Sequence, residues 1–235
     1  MKKIGIIGGL GPEATIDYYK TIIDYFNEAN KNQQPVYPEI VIYSVDIWRL
    51  LDYFNAKQFS EGANYLANCI HDLEKAGAQF AVLSANTPHL IFDEIQSQIN
   101  IPLISIVESC AKRAQEMKLK RCLLLGTRFT MQNDFYQKVF KGFNIDIFVP
   151  DAEQIEFIHS KIFNEMELGI FSEKTKNEFL EIVAGLKDRY NVDSVILGCT
   201  EFPILFKENE YLKLPFLNTT KIHVEAILKK CLNGD

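Results

Sequence analysis

Apolar residues along this chain gather in short dense runs at 4–7, 40–45, 80–84, 101–106, 121–126, 145–149 and 194–198. The stretches between them carry apolar positions every three to four residues. Unalternated apolar runs of this length are the pattern of strands covered on both faces, and the intervening period is helical. Strand and helix in alternation predict an α/β fold, parallel sheets flanked by helices. The clearest predicted helix follows the first strand. Pro12 suits its first position, Glu13 complements its dipole, and Ile16, Tyr19, Ile22, Ile23 and Phe26 form one apolar face. A second helix spans 61–76, with Leu66, Ile70 and Leu73 on one face and Gly77 as its stop. A last helix, 221–232, starts after Thr219 and Thr220 as candidate caps and is expected to pack back on the first half of the chain.

The pattern occurs twice. A shift of 118 lays Lys2–Gly8 over Lys120–Gly126 and carries Tyr18 onto Tyr136 and Lys20 onto Lys138. A shift of 114 lays Val82–Thr87 over Ile196–Glu201, and both segments lead into similar ones, Ile101–Ile104 and Leu214–Leu217. The duplication predicts two pseudo-symmetric α/β lobes, 1–104 plus 216–235 and 105–215, with the site in the cleft between them. Position 85 and Cys199, which the second shift superimposes, are expected to face each other across the ligand.

Composition narrows the classes of function. A formal net charge of -6 without a basic stripe excludes nucleic acid as the expected partner. No apolar run approaches the roughly eighteen residues of a membrane span, and the first run stops at Gly8-Gly9, too soon for a signal peptide. The expected compartment is the cytoplasm, and the expected partner a small molecule. Five cysteines, at 69, 110, 122, 199 and 231, form no CxxC pair, so neither a disulfide framework nor a metal site is expected.

Four turns hold the candidate chemistry. Gly9-Leu10-Gly11-Pro12-Glu13-Ala14 satisfies the loose dinucleotide fingerprint, but Glu13 opposes a pyrophosphate and the next strand-end acid, Asp46, lies 32 residues after Ala14. The turn is read either as tight strand-to-helix packing or as a ligand contact through Gly11 and Pro12. Ser84-Ala85-Asn86-Thr87-Pro88-His89 opens a helix, where Asn86 and Thr87 are caps or carboxylate donors. In the second copy, Cys199 of Gly198-Cys199-Thr200-Glu201 is expected to have its thiolate stabilised by a helix N-terminus, making it the one cysteine suited to act as base or nucleophile. The other four cysteines are read as packing residues. Thr127, Arg128 and Thr130 form the second copy of the glycine turn and suit an anion, and Arg49 is the other candidate clamp. His71 and His159 are read as helix-surface residues. His89 and His223 follow site turns and are read as structural hydrogen-bonders before catalysts.

Taken together, GGLGPEAT at 8–15, ANTPH at 85–89 and GCTEFP at 198–203 resemble the aspartate/glutamate racemase family across essentially the whole chain. That resemblance implies two α/β lobes, a homodimer, no cofactor, and an acidic amino acid as substrate. It also implies two cysteines, one removing the α-proton and the other returning a proton to the opposite face. The second motif is intact at Cys199, Thr200 and Glu201, whereas the first has Ala85 where the cysteine belongs. A methyl group transfers no proton, so two-base racemisation is expected to be impaired. The alanine is read as a replacement of an original cysteine or, second, as a natural one-cysteine form. Asn86, Thr87 and Thr200, with Thr127 or Thr130, are expected to hold the α-carboxylate, and Glu201 the ammonium. The rival readings are a single-cysteine decarboxylase or maleate-type isomerase, and a dicarboxylate-binding protein without turnover.

Overall fold

The computed structural model describes residues 1–29, 34 and 36–233 of the 235. They form two compact units, Met1–Ile106 with His223–Asp235, and Val107–Ile222. Each is built on its own sheet.

In the first unit β1 (Ile4–Gly8), α1 (Pro12–Ala29), β2 (Ile40–Ser44), α2 (Ile47–Asn55), α3 (Phe59–Lys75), β3 (Phe80–Leu83), α4 (Phe92–Gln96) and β4 (Leu103–Ile104) follow in order. The four strands are parallel, in the order β2-β1-β3-β4. β1 and β3 are wholly buried, as their unbroken apolar sequences require. On one face Ile4, Ile6, Phe80 and Val82 pack with Tyr18, Ile22 and Phe26 of α1 and with Val224, Ile227, Leu228 and Cys231. These last four belong to α11 (Thr219–Leu232), whose end is tied to the first strand by the Lys2 N–H donating to the Cys231 carbonyl at 2.9 Å.

Two predicted details change here. The buried stripe of α1 is Ala14, Thr15, Tyr18, Ile22 and Phe26, and the expected Ile16 and Tyr19 are 57% and 47% exposed. Thr15 and Tyr18 turn inward because each finds a buried polar partner, described below. The run at 101–106 yields only a two-residue strand, because α5 (Ile106–Glu116) starts at Ile106. Gly77 follows α3 with φ of +88°, the left-handed stop predicted for it.

The second unit continues with β5 (Arg121–Gly126), α6 (Arg128–Gln132), α7 (Phe135–Lys141), β6 (Asp146–Phe148), α8 (Ala152–Asn164), α9 (Glu173–Tyr190), β7 (Ser194–Gly198), α10 (Phe202–Leu205), β8 (Glu210–Tyr211) and β9 (Leu214–Asn218). The sheet order is β6-β5-β7-β9-β8, parallel except for the β8–β9 hairpin. Its core packs Leu123, Leu125, Val195 and Leu197 against Ile158, Phe179, Val183 and Phe202.

Strand β9 pairs with β7, so 216–218 lie in the second sheet and not in the first lobe, where the duplication put them. The chain re-enters the first unit at His223, inside α11. The predicted caps also move by one residue: Asn218 Oδ1 accepts from the Lys221 N–H at 3.0 Å, while the Thr219 hydroxyl donates to the Leu197 carbonyl at 2.7 Å. Among the described residues no helix is long and apolar enough to cross a membrane.

Candidate active site

In a parallel sheet the strands present their carboxyl ends together, and ligands sit outside that edge. In the first unit this edge gathers the turns after β1, β2 and β3. Gly9 takes φ of +75°, and a Cβ there would lie 2.3 Å from the Val45 carbonyl oxygen. The Thr15 hydroxyl accepts from the Gly9 N–H at 2.9 Å and lies 3.1 Å from the Gly11 carbonyl, to which it donates. The glycine-rich turn is therefore closed by its own helix, with Pro12 as the first residue of α1.

The turn after β3 carries Ser84, Ala85 and Asn86, all buried, and then a short 3-10 turn, Thr87–Ile91. Asn86 makes no side-chain capping bond to that turn. His89 holds it by another route: its Nδ1 lies 3.0 Å from the Ala85 carbonyl oxygen, and its Nε2 lies 3.1 Å from the Ile106 N–H. Burial, reinforced by nearby His223, lowers the His89 pKa to about 3. Arg49, just past β2, is exposed and laid over the Tyr65 ring at 4.5 Å, with its Nε 3.4 Å from the Tyr53 hydroxyl.

In the second unit Gly126 and Gly198 are paired partners, so the turns after β5 and β7 leave the sheet side by side. Thr127 caps α6, its hydroxyl oxygen accepting from the Thr130 N–H at 3.3 Å, and the two threonine hydroxyls lie 3.2 Å apart. The Arg128 guanidinium pairs with Glu156 at 3.1 Å. The Arg128 backbone N–H donates to His159 Nδ1 at 3.4 Å, so His159 is a partner of this turn and not only a surface residue.

Cys199 is 6% exposed, and its Sγ donates to Glu201 Oε2 at 2.8 Å. Thr200 Oγ1 donates to both Glu201 oxygens, at 3.1 and 3.0 Å. Burial pushes the Cys199 pKa well above the usual thiol value, and the Glu201 carboxylate pushes it further. This corrects the expectation of a thiolate stabilised by a helix dipole. The helix that follows has only four residues, and the thiol's partner is an anion.

Glu167, which the sequence did not single out, belongs to the same electrostatic set. Desolvation and the Glu201 charge raise its pKa to about 7. No motif or spacing marks it, since it stands in a short turn after α8, 34 positions before Glu201. The other four cysteines are buried and free, as expected of packing residues.

Each unit is thus α/β on a largely parallel sheet, and the second carries a buried thiol hydrogen-bonded to a carboxylate just past the carboxyl end of β7. The pattern of the Asp/Glu/Hydantoin racemase family matches residues 7–227, and the chain belongs to that family. It is 33% identical over 140 residues to the broad specificity amino-acid racemase RacX of Bacillus subtilis, a match covering 59% of this chain and 60% of that protein. It is 27% identical over 202 residues to glutamate racemase of Hydrogenobaculum, covering 80% and 70%. Its fold matches the crystal structure of an aspartate racemase homologue from Pyrococcus horikoshii with a TM-score of 0.84 and 34% identity, over 99% of this chain and all of that one. A putative Asp/Glu racemase from Yersinia pestis matches at 0.88 and 29%, over 99% and 100%.

Proposed function

We propose that this chain acts without a cofactor on the α-carbon of an acidic amino acid, aspartate or glutamate, using Cys199 to remove and return the α-proton. The observation that carries the reading is the 2.8 Å hydrogen bond from Cys199 to Glu201 in a member of a racemase family. Glu201 takes the thiol proton, and the thiolate so formed accepts the α-proton. The electron pair left on the α-carbon delocalises into the substrate α-carboxylate. Thr127, Thr130 and Thr200, with Asn86 and Thr87, supply donors for that carboxylate, which gains charge as the carbanion forms. Reversal returns a proton to the same face.

The resemblance expects a second thiol at position 85, and Ala85 has none. The chain therefore exchanges the α-proton of one enantiomer with solvent and inverts it slowly. The test is proton NMR of L- and D-aspartate and L- and D-glutamate in deuterium oxide, with circular dichroism for inversion. Wash-out of one enantiomer with only slow inversion is expected, and fast inversion once Ala85→Cys is made. Absence of exchange on all four substrates in both proteins overturns the reading.

Ala85 also favours a second reading, a one-thiol decarboxylase or maleate-type isomerase, which turnover of malonates or maleate by the unaltered chain would support. A dicarboxylate-binding protein would bind the same compounds and exchange nothing. The active form in this reading is a homodimer. Its support is the family together with exposed apolar side chains, Ile42 and Tyr43 on the edge strand β2 and Trp48 beside it, and sedimentation tests it.

A further inference from the structure

Two buried histidines stand where the chain passes from one unit to the other. It leaves the first unit after Ile106 and returns at His223. His89 Nε2 faces the Ile106 N–H at 3.1 Å, and an N–H only donates, so that nitrogen is bare and the ring proton sits on Nδ1. Nδ1–H then donates to the Ala85 carbonyl at 3.0 Å. His223 is the opposite tautomer. Its Nε2–H donates to the Ile104 carbonyl at 2.9 Å, and its Nδ1 accepts from the Tyr18 hydroxyl at 2.8 Å. The two rings meet edge to face with centroids 6.3 Å apart, and His89 stacks on Phe92 at 5.3 Å. Every ring nitrogen is partnered, and both side chains are buried.

The second copy lacks this device. The shift of 114 puts Pro203 at the place of His89, and the strand registers, which match Ile104 with Leu217, put Thr219 at the place of Ile106. There the strand leading to the site turn is held by the Thr219 hydroxyl on the Leu197 carbonyl. Only the first copy has an imidazole spanning its site turn and the helix start beyond β4.

We propose that His89 is a positioning residue: as the Nδ1–H tautomer, held by Ile106, it fixes the carbonyl of residue 85 and so sets the conformation of Ala85, Asn86 and Thr87. His223 is its counterpart, fixing Ile104 and thereby the chain that carries the Ile106 N–H. The proposal rests on the functional reading in so far as these three residues serve the substrate, and it adds the group that shapes them.

Two substitutions separate the bonds of His89. In His89→Asn the amide stands near the place of Nδ1 and keeps the donation to residue 85. In His89→Gln the amide reaches the place of Nε2 and keeps only the acceptor for Ile106. Both remove the imidazole and its stacking, so a purely structural role predicts equal effects. The proposal predicts a lower heteronuclear NOE at the backbone of residues 85–87 in His89→Gln and near-normal values in His89→Asn, each read below its melting temperature. For α-proton exchange of aspartate it predicts a KM raised about fivefold to tenfold in His89→Gln, the effect of one ordinary hydrogen bond, with kcat little changed and His89→Asn close to the parent.

Equal behaviour of the two variants overturns the proposal. Long-range nitrogen–proton correlations on the unaltered protein keep it falsifiable where a variant fails to fold: His89 is expected as Nδ1–H and His223 as Nε2–H at neutral pH, and an Nε2–H form of His89 overturns it. A parent protein that exchanges no acidic amino acid defeats the functional reading, and the NOE and tautomer measurements still judge the positioning role.

Discussion

Replacing Glu201 by glutamine tests the thiol–carboxylate pair with two readouts that move in opposite senses. The amide has nearly the shape of the carboxylate but no charge, so it removes the anion that stands 2.8 Å from Cys199 Sγ. Burial, the larger cause of the raised thiol pKa, stays in place, and only the contribution of Glu201 is withdrawn. Two unit charges about 4 Å apart at an effective dielectric near 20 interact by about 4 kcal/mol. The Cys199 titration is therefore expected to move down, read as thiolate absorbance against pH with Cys199→Ala as the blank. A simple account, in which a more acidic thiol is a better base, predicts faster α-proton exchange. If Glu201 is instead the acceptor of the thiol proton, exchange slows by about 10²–10⁴-fold, the span of a lost general base, although thiolate is easier to form. A glutamine variant that exchanges faster than the parent, or whose thiol titrates where the parent's does, refutes the argument.

Buried neutral histidines make the first unit sensitive to acid. Burial holds His89 and His223 at about 3 and about 4 in the fold, against 6.5 ordinarily, so the unfolded chain binds more protons and stability falls as pH drops below about 6.5. Each removes up to about 1.4 kcal/mol per pH unit down to its folded value, and urea titrations from pH 7 to 4.5 on the parent and on His223→Gln should show a shallower fall in the variant. The β8–β9 hairpin turns on Leu212 and Lys213 at φ of 54° and 58°, a two-residue turn that favours Asn-Gly. Replacing Leu212-Lys213 by Asn-Gly should stabilise the chain by about 1–2 kcal/mol in denaturant titration. Gly9→Ala sets a methyl 2.3 Å from the Val45 carbonyl oxygen at a positive φ, and a melting temperature unchanged by it would refute the close packing of that turn. A loss of at least about 2 kcal/mol is expected.

Much of the fold was legible in the sequence because strands covered on both faces leave no polar alternation: β1 and β3 carry no polar side chain, and β5 and β7 carry none after Arg121 and Ser194. The phase of α1 was not legible. Hydrophobicity chose Ile16 and Tyr19, but the buried side chains are Thr15 and Tyr18, whose hydroxyls meet Gly9 and His223. The second of these partners is 205 residues away. A buried hydroxyl costs little once it is bonded, and bonds of that range leave no mark in a local pattern. The thiol at 199 is legible only in part, for a similar reason. A helix start argues for a lowered pKa and the neighbouring Glu201 against it, and neither the brevity of α10 nor the aim of the Glu201 carboxylate follows from Gly-Cys-Thr-Glu as letters.

Position 85 joins these two lessons. The bond that shapes the turn there runs from an imidazole to a backbone carbonyl, so the side chain of residue 85 has no part in it. On the proposed reading the alanine takes away a proton-transfer group and leaves the conformation of the turn, so Ala85→Cys is expected to restore the chemistry without moving the backbone of residues 85–87.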